Sequence, residues 1–242
     1  MEPVRTHRAK SVVEAARLHR AQVRKERELT LVEGPDLVAD VRAAGARIVD
    51  IFTTTPDEDS RSIPVDQRAL ERLAGTKSPR GPVAVVEIPT ECLDRQRNLL
   101  VSVGVSDPGN VGTMIRTAAS FGWGFAYMEG SADPWSPKTI RAGAGGQFQT
   151  PVARIGLISE LKEWVTAATV VRGGDTLYVV TRRPVALLIG EETHGLPDRI
   201  IAAADYKVTI ATPGSTESLN AAVAAGIAVY ALSKSGESPG EV

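Results

Sequence analysis

Apolar residues along the second half of the chain come in short continuous runs, which alternate with longer segments of helical periodicity. The run over residues 99–105 has the length and the β-branched content of a strand that is buried on both faces. The helix that follows it has an apolar face with i, i+3, i+4, i+7 spacing, formed by Val111, Met114, Ile115 and Ala118. Further strands are predicted over 125–128, 169–172, 185–189 and 206–210, and further helices from Ser136, over 158–168 and over 218–233. Because strand and helix units repeat, the sequence predicts an α/β fold with a mostly parallel sheet covered on both faces.

The first ninety residues show the same alternation on a smaller scale. Residues 6–29 contain neither glycine nor proline and are predicted to be helical. Strands and helices then alternate, with strands over 29–32, 48–53 and 83–88 and helices that begin at Pro35 and Asp66. This pattern predicts a small α/β domain over residues 1–90. The polar stretch over 89–97 is the predicted linker, so a second domain is expected over 96–242.

Composition is that of an ordinary globular protein and excludes several classes of function. The 242 residues are 43% hydrophobic and 24% charged, and the formal net charge of −1 gives no global field that would attract nucleic acid. The single cysteine, Cys92, excludes an internal disulfide and a cysteine-based zinc site, and it indicates a reducing compartment. The histidines, His7, His19 and His194, are scattered, so no metal site is predicted. We find no signal peptide, and the longest low-polarity run, 221–232, is too short to span a bilayer, which predicts a soluble cytoplasmic protein.

The predicted N-terminal helix carries a local positive charge. Residues 1–28 hold eight Lys or Arg against four acidic residues, a charge of about +4. Four arginines recur at i, i+3, i+7 and i+10 and are expected on one helical face: Arg17, Arg20, Arg24 and Arg27. The loop over 75–82 adds Lys77 and Arg80. These cations could contact a phosphate backbone or could form a solvated surface, and the residues by themselves leave both interpretations open.

The loop after the 99–105 strand is the first candidate for a functional site. Asp107-Pro108-Gly109 has the chemistry of a turn, and Asn110 follows at the position predicted for the N-cap of the helix. Arg116 is on the polar face of that helix, close to the carboxyl end of the strand, where open α/β sheets hold their ligands. A solvated arginine on a surface helix is the alternative.

Two further polar loops also follow predicted strands. After 185–189 come Glu191 and Glu192, and carboxylates at the end of a buried strand are costly unless they are exposed, paired or functional. After 206–210 a Pro-Gly loop opens a helix with Ser218 and Asn220, either of which could cap that helix. Each loop alone could be ordinary surface. Three polar loops at strand ends of one sheet predict a shared polar cleft.

The glycine-rich segment over 141–146 does not have the dinucleotide-binding pattern. No predicted strand precedes it directly, and the third glycine is missing at the required spacing. A nucleotide-dependent oxidoreductase, which a parallel sheet covered by helices would by itself allow, is therefore disfavoured.

Three segments together resemble, in order and spacing, the signature motifs of the SpoU (TrmH-like) family of RNA ribose 2′-O-methyltransferases, within the SPOUT superfamily. They read DPGNVGTMIRTAASFG, IGEETHGLP and IATPGSTESLNAAVAAGI, and the resemblance covers about residues 96–235. The segments RKERELTLVEGPDLV and LAGTKSPRGPVAVV are also similar to the family's N-terminal substrate-binding domain. The resemblance implies a homodimer and a deep trefoil knot near the C-terminus that holds S-adenosylmethionine (AdoMet).

The resemblance also implies roles for individual residues. Asn110 and Arg116 are expected to act at the target ribose, with the site completed by Glu192, Ser218 and Asn220. The cofactor pocket is expected to be lined, mainly through backbone groups, by Gly190, Ile210 and Leu219. Where family members often read Ile-Pro-Met before the third loop, this chain has Ile210-Ala211-Thr212, a change that affects none of the polar candidates.

The expected substrate is RNA, because the 2′-hydroxyl is what distinguishes RNA from DNA at a site. Since arginine is a poor base, Arg116 is expected to stabilise the developing alkoxide and to orient the ribose or a phosphate. The cationic residues named above, Lys77 and Arg80 included, are expected to bind backbone phosphates. Family analogy favours ribosomal RNA; transfer RNA, or a non-catalytic RNA-binding protein of the same fold, are the alternatives.

Overall fold

The computed structural model describes residues 4–55, 59–75, 78–79, 81–180, 184–213 and 218–234. The α-helices in these ranges are α1 (Lys10–Ala16), α2 (Ala21–Arg27), α3 (Pro35–Ala43), α4 (Gln67–Ala74), α5 (Pro108–Ser120), α6 (Pro137–Ala142), α7 (Asp198–Ala203) and α8 (Ala221–Lys234). The strands are β1 (Leu29–Glu33), β2 (Ile48–Thr53), β3 (Ser62–Pro64), β4 (Val83–Glu87), β5 (Leu99–Val103), β6 (Gly124–Tyr127), β7 (Val152–Arg154), β8 (Val165–Thr169), β9 (Val185–Gly190) and β10 (Tyr206–Val208). The chain divides into two compact units, one formed by Met1–Thr90 with Asp133–Phe148, the other by Glu91–Ala132 with Gln149–Val242.

The first unit is built on a small mixed sheet with strand order β1-β4-β2-β3. The central strand β4 pairs antiparallel with β1 and β2, and β3 joins the edge in parallel with β2. Fully buried Leu18, Leu70 and Leu73 pack on Phe52 and Val83 of the sheet. Burial of side chains of this size, at about 1.5–3 kcal/mol each, holds the helices on the sheet.

The N-terminal segment is not the single helix that was predicted over 6–29. It consists of α1, a turn of 3₁₀-helix over Arg17–His19 and α2, and Arg20 between them has an extended conformation with φ −88° and ψ 126°. The periodicity of the arginines therefore does not continue from α1 into α2, so they do not share one helical face.

The segment Asp133–Phe148 packs in the first unit, although it comes well after the predicted linker over 89–97. The hydroxyl of Thr30 on β1 donates to the carbonyl of Trp135 at 2.7 Å, and Arg141 pairs with Glu33 at 2.6 Å. Asp133 pairs with Arg24 of α2. These three contacts join residues that are far apart in sequence, so the local pattern could not show that the segment belongs to the first unit.

The second unit contains a six-stranded sheet with strand order β10-β8-β9-β5-β6-β7. Every neighbouring pair in it is parallel, which confirms the predicted parallel sheet and α/β class. The central strands β5 and β9 are buried along almost their whole length, as their uninterrupted apolar sequences require. Helices α5 and α8 pack together, and the indole N–H of Trp123 donates to the hydroxyl of Ser233 at 3.1 Å.

Strand β8 corrects the prediction of a helix over 158–168. The structure has a short 3₁₀-helix at Ile158–Leu161 and then the strand Val165–Thr169, which lies between β9 and β10. The sequence VTAAT has weak intrinsic preference, so pairing with two neighbouring strands decides its conformation. No helix within the described ranges has the length and the apolar character needed to cross a bilayer.

Candidate active site

The loop after β5 is fixed by a helix cap. Asp107 is the N-cap of α5, and its carboxylate accepts a hydrogen bond from the backbone N–H of Asn110 at 2.8 Å. Pro108 occupies the first helical position, where the lack of an N–H has no cost. The prediction that Asn110 caps this helix is therefore wrong. Because Asp107 satisfies the Asn110 backbone, the Asn110 side-chain amide is available for other contacts.

The loop after β9 is a tight turn. The backbone N–H of Gly195 donates to the carbonyl of Glu191 at 3.0 Å, and the two residues form an antiparallel bridge. A Cβ atom on Gly190 would lie 2.3 Å from the carbonyl carbon of Gly195, so the turn has no room for a side chain there. The backbone of this turn is therefore closely packed, and it fixes the position of Glu192 and its neighbours.

The third loop ends in a second helix cap. The side-chain oxygen of Asn220 accepts hydrogen bonds from the backbone N–H groups of Ala222 at 3.0 Å and Val223 at 3.2 Å. Of the two residues that could have capped this helix, Asn220 is the one that does. Ser218 is exposed two residues before it.

The side chains of Asn110, Glu192 and Asn220 meet in one hydrogen-bonded cluster. The amide of Asn220 donates to Oδ1 of Asn110 at 3.0 Å and to Oε1 of Glu192 at 3.2 Å. Asn110 also donates its amide to Oε1 of Glu192. The three residues come from three different strand ends, so the structure brings together the polar loops that the sequence predicted would share a cleft.

The Glu192 carboxylate also lies at the N-terminus of α8. Its Oε1 accepts a hydrogen bond from the backbone N–H of Ala221 at 3.3 Å. A negative charge is stabilised at this point in two ways. The N-terminus is the positive end of the helix dipole, and hydrogen bonds to an ionised acceptor are stronger than those to a neutral one. Glu192 therefore locks the two asparagines and the start of α8 into one arrangement.

Arg116 stands apart from this cluster. Its side chain is exposed, and within the described ranges its guanidinium makes no hydrogen bond and no ion pair. The carboxylate of Glu192 contacts the two asparagines and not Arg116. An unpaired guanidinium on an exposed helix is free to bind an external anion.

A cleft of about 200 Å³ lies beside the cluster in the second unit. Its wall includes all three predicted cofactor residues, Gly190, Ile210 and Leu219. Glu192 and Ser218 also line it, which places polar groups at the same opening. The cleft lies at the carboxyl ends of β8 and β9, where parallel sheets hold ligands.

Sequence reasoning missed one wall of this cleft. Thr169, Val170 and Val171 at the end of β8 line it, but the sequence placed the boundary between helix and strand at this point. The turn after β9 contributes Glu191 and His194 as well as Glu192, and these are the titratable side chains in the described part of the lining. The adjacent acidic pair was visible in the sequence, whereas the position of β8 was not.

The predicted phosphate-binding residues separate into distinct environments. Arg24 is 4% exposed; its guanidinium pairs with Asp133 and donates to the carbonyls of Leu18 at 2.7 Å and His19 at 2.9 Å. Arg24 is therefore a buried structural residue, and the prediction that it contacts RNA is withdrawn. Lys77 and Arg80 lie outside the described residues.

The remaining arginines of this group are exposed. Arg17 lies 3.2 Å from the carboxylate of Glu14, and Arg27 also pairs with Glu14. The hydrogen bond from Arg27 lowers the pKa of Glu14 below its ordinary value, and Arg17 acts in the same direction. The side chain of Arg20 is exposed and has no polar partner within the described ranges.

Comparisons with known proteins agree with this geometry. The sequence profile of the SpoU rRNA Methylase family matches residues 97–230, which contain all three loops. The chain is 30% identical over 250 residues to the 23S rRNA (guanosine(2553)-2′-O)-methyltransferase RlmP of Bacillus subtilis, covering 96% of this chain and 99% of RlmP.

Two crystal structures are similar over almost the whole chain. An AdoMet-bound rRNA methyltransferase from Sinorhizobium meliloti has a TM-score of 0.83 and 25% identity, with 97% of this chain and 99% of that one covered. The SpoU methyltransferase AviRb of Streptomyces viridochromogenes, in complex with the cofactor AdoMet, has a TM-score of 0.83 and 26% identity, with 94% and 98% covered. The resemblance found in the motifs is confirmed: the chain belongs to the SpoU rRNA Methylase family.

Proposed function

We propose that the protein is an AdoMet-dependent methyltransferase that methylates a ribose 2′-hydroxyl of ribosomal RNA. The main observation behind this proposal is that the three family motifs meet in the Asn110–Glu192–Asn220 cluster, beside a cleft that Glu192 lines. RlmP of Bacillus subtilis and the Sinorhizobium meliloti protein, which match along nearly the full chain, are named as rRNA methyltransferases, and this favours ribosomal RNA over transfer RNA.

The cleft has the character that AdoMet requires. Val170, Ile189, Ile210 and Leu219 supply apolar surface that fits an adenine ring, and strand-end backbone groups supply hydrogen bonds. Glu191 and Glu192 place negative charge beside a ligand that carries a sulfonium and an ammonium group. When bound, AdoMet supplies a methyl group on a positively charged sulfur.

In this proposal the chain's polar residues position the target ribose. Arg116 binds the developing alkoxide or a neighbouring phosphate, since its guanidinium is exposed and unpaired within the described ranges. The amides of Asn110 and Asn220, fixed by Glu192, orient the nucleotide. Ser218 contributes a hydroxyl at the cleft opening.

Residues 1–90 form the RNA substrate-binding domain and residues 96–242 the catalytic domain in this proposal. Asp133–Phe148 lies within the second range but packs with the first unit, so we include it in the RNA-binding part. Arg20 is the exposed cation best suited to a phosphate, because Arg17 and Arg27 already share Glu14. The protein has one cysteine, Cys92, and we infer that it acts in the reducing cytoplasm.

The family's trefoil knot is also part of the proposal. After β9 the chain forms β10 at the far edge of the sheet, beside β8, and then returns in α8. Helix α8 packs on α5 and β9. Membership of the family supports a knotted C-terminal region, which would contain this return of the chain from β10 to α8.

Methyl transfer to RNA tests the proposed activity directly. With tritiated AdoMet, we expect label in total ribosomal RNA and none in total transfer RNA, and resistance to alkaline cleavage at the modified position. Label in transfer RNA alone would show that the substrate is transfer RNA and not ribosomal RNA. Binding of AdoMet and RNA without methyl transfer would support the alternative that the protein binds RNA but is not a catalyst. Absence of AdoMet binding would overturn the proposal.

A homodimer is proposed because α8 has an exposed apolar face. Val223, Ile227 and Tyr230 are 50%, 43% and 56% exposed and are spaced by i, i+4 and i+7. Phe121 packs edge-on against Tyr230, with ring centroids 6.2 Å apart, and is itself 41% exposed. An apolar surface of this kind is suited to a self-complementary contact with a second copy.

Light scattering at micromolar concentration measures this association. We expect a dimer for the wild type and a monomer for Ile227→Asp/Tyr230→Asp, because buried unpaired carboxylates oppose the contact. Leu157→Asp is the matched control, since Leu157 is 66% exposed on the same unit but belongs to the loop after β7 and not to α8, and should leave the dimer intact. A monomeric wild type would contradict the proposal.

A further inference from the structure

The turn after β9 holds a histidine–carboxylate pair that the assigned site residues leave unused. Nδ1 of His194 is hydrogen-bonded to Oε1 of Glu191, three residues earlier. The His194 side chain is 80% exposed, and within the described ranges Nε2 has no protein partner. A carboxylate at Nδ1 fixes the ring and leaves Nε2 as the nitrogen that can accept a proton.

The pair is positioned by the tight backbone described above. The bridge between Glu191 and Gly195 encloses the residues that lie between them, and Gly190 packs against Gly195 too closely for a side chain. His194 and Glu192 line the same cleft. The imidazole is therefore held at the edge of the proposed cofactor site rather than on a distant surface.

The proposed reaction needs a proton acceptor, and the other candidates are poorly suited to accept one. The guanidinium of Arg116 is a donor only, because an arginine side chain keeps its proton and has no acceptor atom. Asn110, Asn220 and Ser218 are neutral groups. Oε1 of Glu192 already accepts hydrogen bonds from the two asparagines and from Ala221.

We propose that Nε2 of His194 accepts the proton of the ribose 2′-hydroxyl during methyl transfer; this rests on the function proposed above. The 2′-oxygen forms a bond to the methyl carbon, and the bond between that carbon and sulfur breaks with its electron pair left on sulfur. The hydroxyl proton passes to Nε2 and then to solvent. Glu191 is a positioning residue, which orients the ring and stabilises the imidazolium that forms.

This role makes the reaction dependent on pH. Only the neutral form of an imidazole has a free nitrogen lone pair that can accept a proton. The charged groups around the ring in the described lining are the carboxylates of Glu191 and Glu192. We therefore expect the single-turnover rate to rise with pH as the neutral form replaces the imidazolium.

The test compares His194→Gln with His7→Gln, a matched substitution in the other unit. We expect His194→Gln to lower the single-turnover rate about 100-fold and to abolish its rise with pH, while His7→Gln changes neither. Equilibrium binding of AdoMet and of RNA should stay within about twofold of the wild type in both variants. Added imidazole should restore part of the rate to His194→Ala, and Glu191→Asp should retain more activity than Glu191→Gln.

Several results would overturn this assignment. A wild-type rate or an unchanged pH profile in His194→Gln would exclude His194 as the proton acceptor. Weakened AdoMet binding, or failure of imidazole to rescue His194→Ala, would make the residue a binding or structural group. A wild-type protein that binds AdoMet and RNA but transfers no methyl group would instead contradict the proposed function, so the two failures are distinguishable.

Discussion

Replacing Arg116 with alanine is expected to lower the rate of methyl transfer to RNA by about 100- to 1,000-fold, the effect of removing one donor from a developing oxyanion. The fold and AdoMet binding should be unchanged, because within the described ranges the guanidinium is exposed and makes no hydrogen bond or ion pair. A single-turnover assay with saturating AdoMet and RNA measures the change.

Two variants control this experiment. Arg116→Lys keeps the charge but not the planar fork of donors, and should recover only part of the rate. Arg154→Ala removes an exposed arginine from β7, at the edge of the same sheet, and should leave the rate within about twofold. An Arg116→Ala rate within threefold of the wild type would exclude a direct role at the ribose.

Replacing Arg24 with alanine is expected to destabilise the protein by about 3 kcal/mol, because breaking a buried ion pair leaves the partner charge uncompensated. Arg24 is 4% exposed, and its guanidinium bonds to Asp133 and to the carbonyls of Leu18 and His19. The change should be seen in urea unfolding, and as faster hydrogen exchange in the segments over 10–27 and 133–148.

Arg20 provides the matched control for this prediction. It is exposed and has no polar partner within the described ranges, so Arg20→Ala should change stability by less than about 0.5 kcal/mol. The double variant Arg24→Leu/Asp133→Leu should recover part of the lost stability, because it leaves neither charge unpaired. A loss below about 1 kcal/mol in Arg24→Ala would show that this pair does not hold Asp133–Phe148 in place.

Local patterns predicted the central strands of the second unit well. Strands β5 and β9 were evident because a strand buried in a parallel sheet is apolar on both faces, and this is visible in consecutive residues. The three polar loops were found for a related reason: the carboxyl ends of parallel strands share one edge of the sheet. This rule groups the three loops, whereas the resemblance to the SpoU motifs is what singles out Asn110, Glu192 and Asn220 within them.

Where the prediction was wrong, the deciding partners lie far away in sequence. Val165–Thr169 is a strand because β9 and β10 pair with it, although its alanines also suit a helix. Arg24 recurs at the same helical spacing as the exposed arginines, yet it is buried. Its guanidinium bonds to Asp133, which lies 109 positions later in the sequence. The capping of α5 by Asp107 rather than Asn110 is local, and the turn chemistry of Pro108 at the first helical position was the signal for it.

By itself, the sequence determined the α/β class, the parallel sheet and the family, because these depend on short apolar runs and on motifs of contiguous residues. Only the tertiary structure decided which polar side chains are hydrogen-bonded to one another. Asn110 is hydrogen-bonded to Glu192, 82 positions later in the sequence, and to Asn220, 110 positions later. It also decided that Arg24 is structural and that His194 lies at the cleft. Hydrogen bonds and burial depend on distances in space, and the order of residues along the chain does not specify these distances.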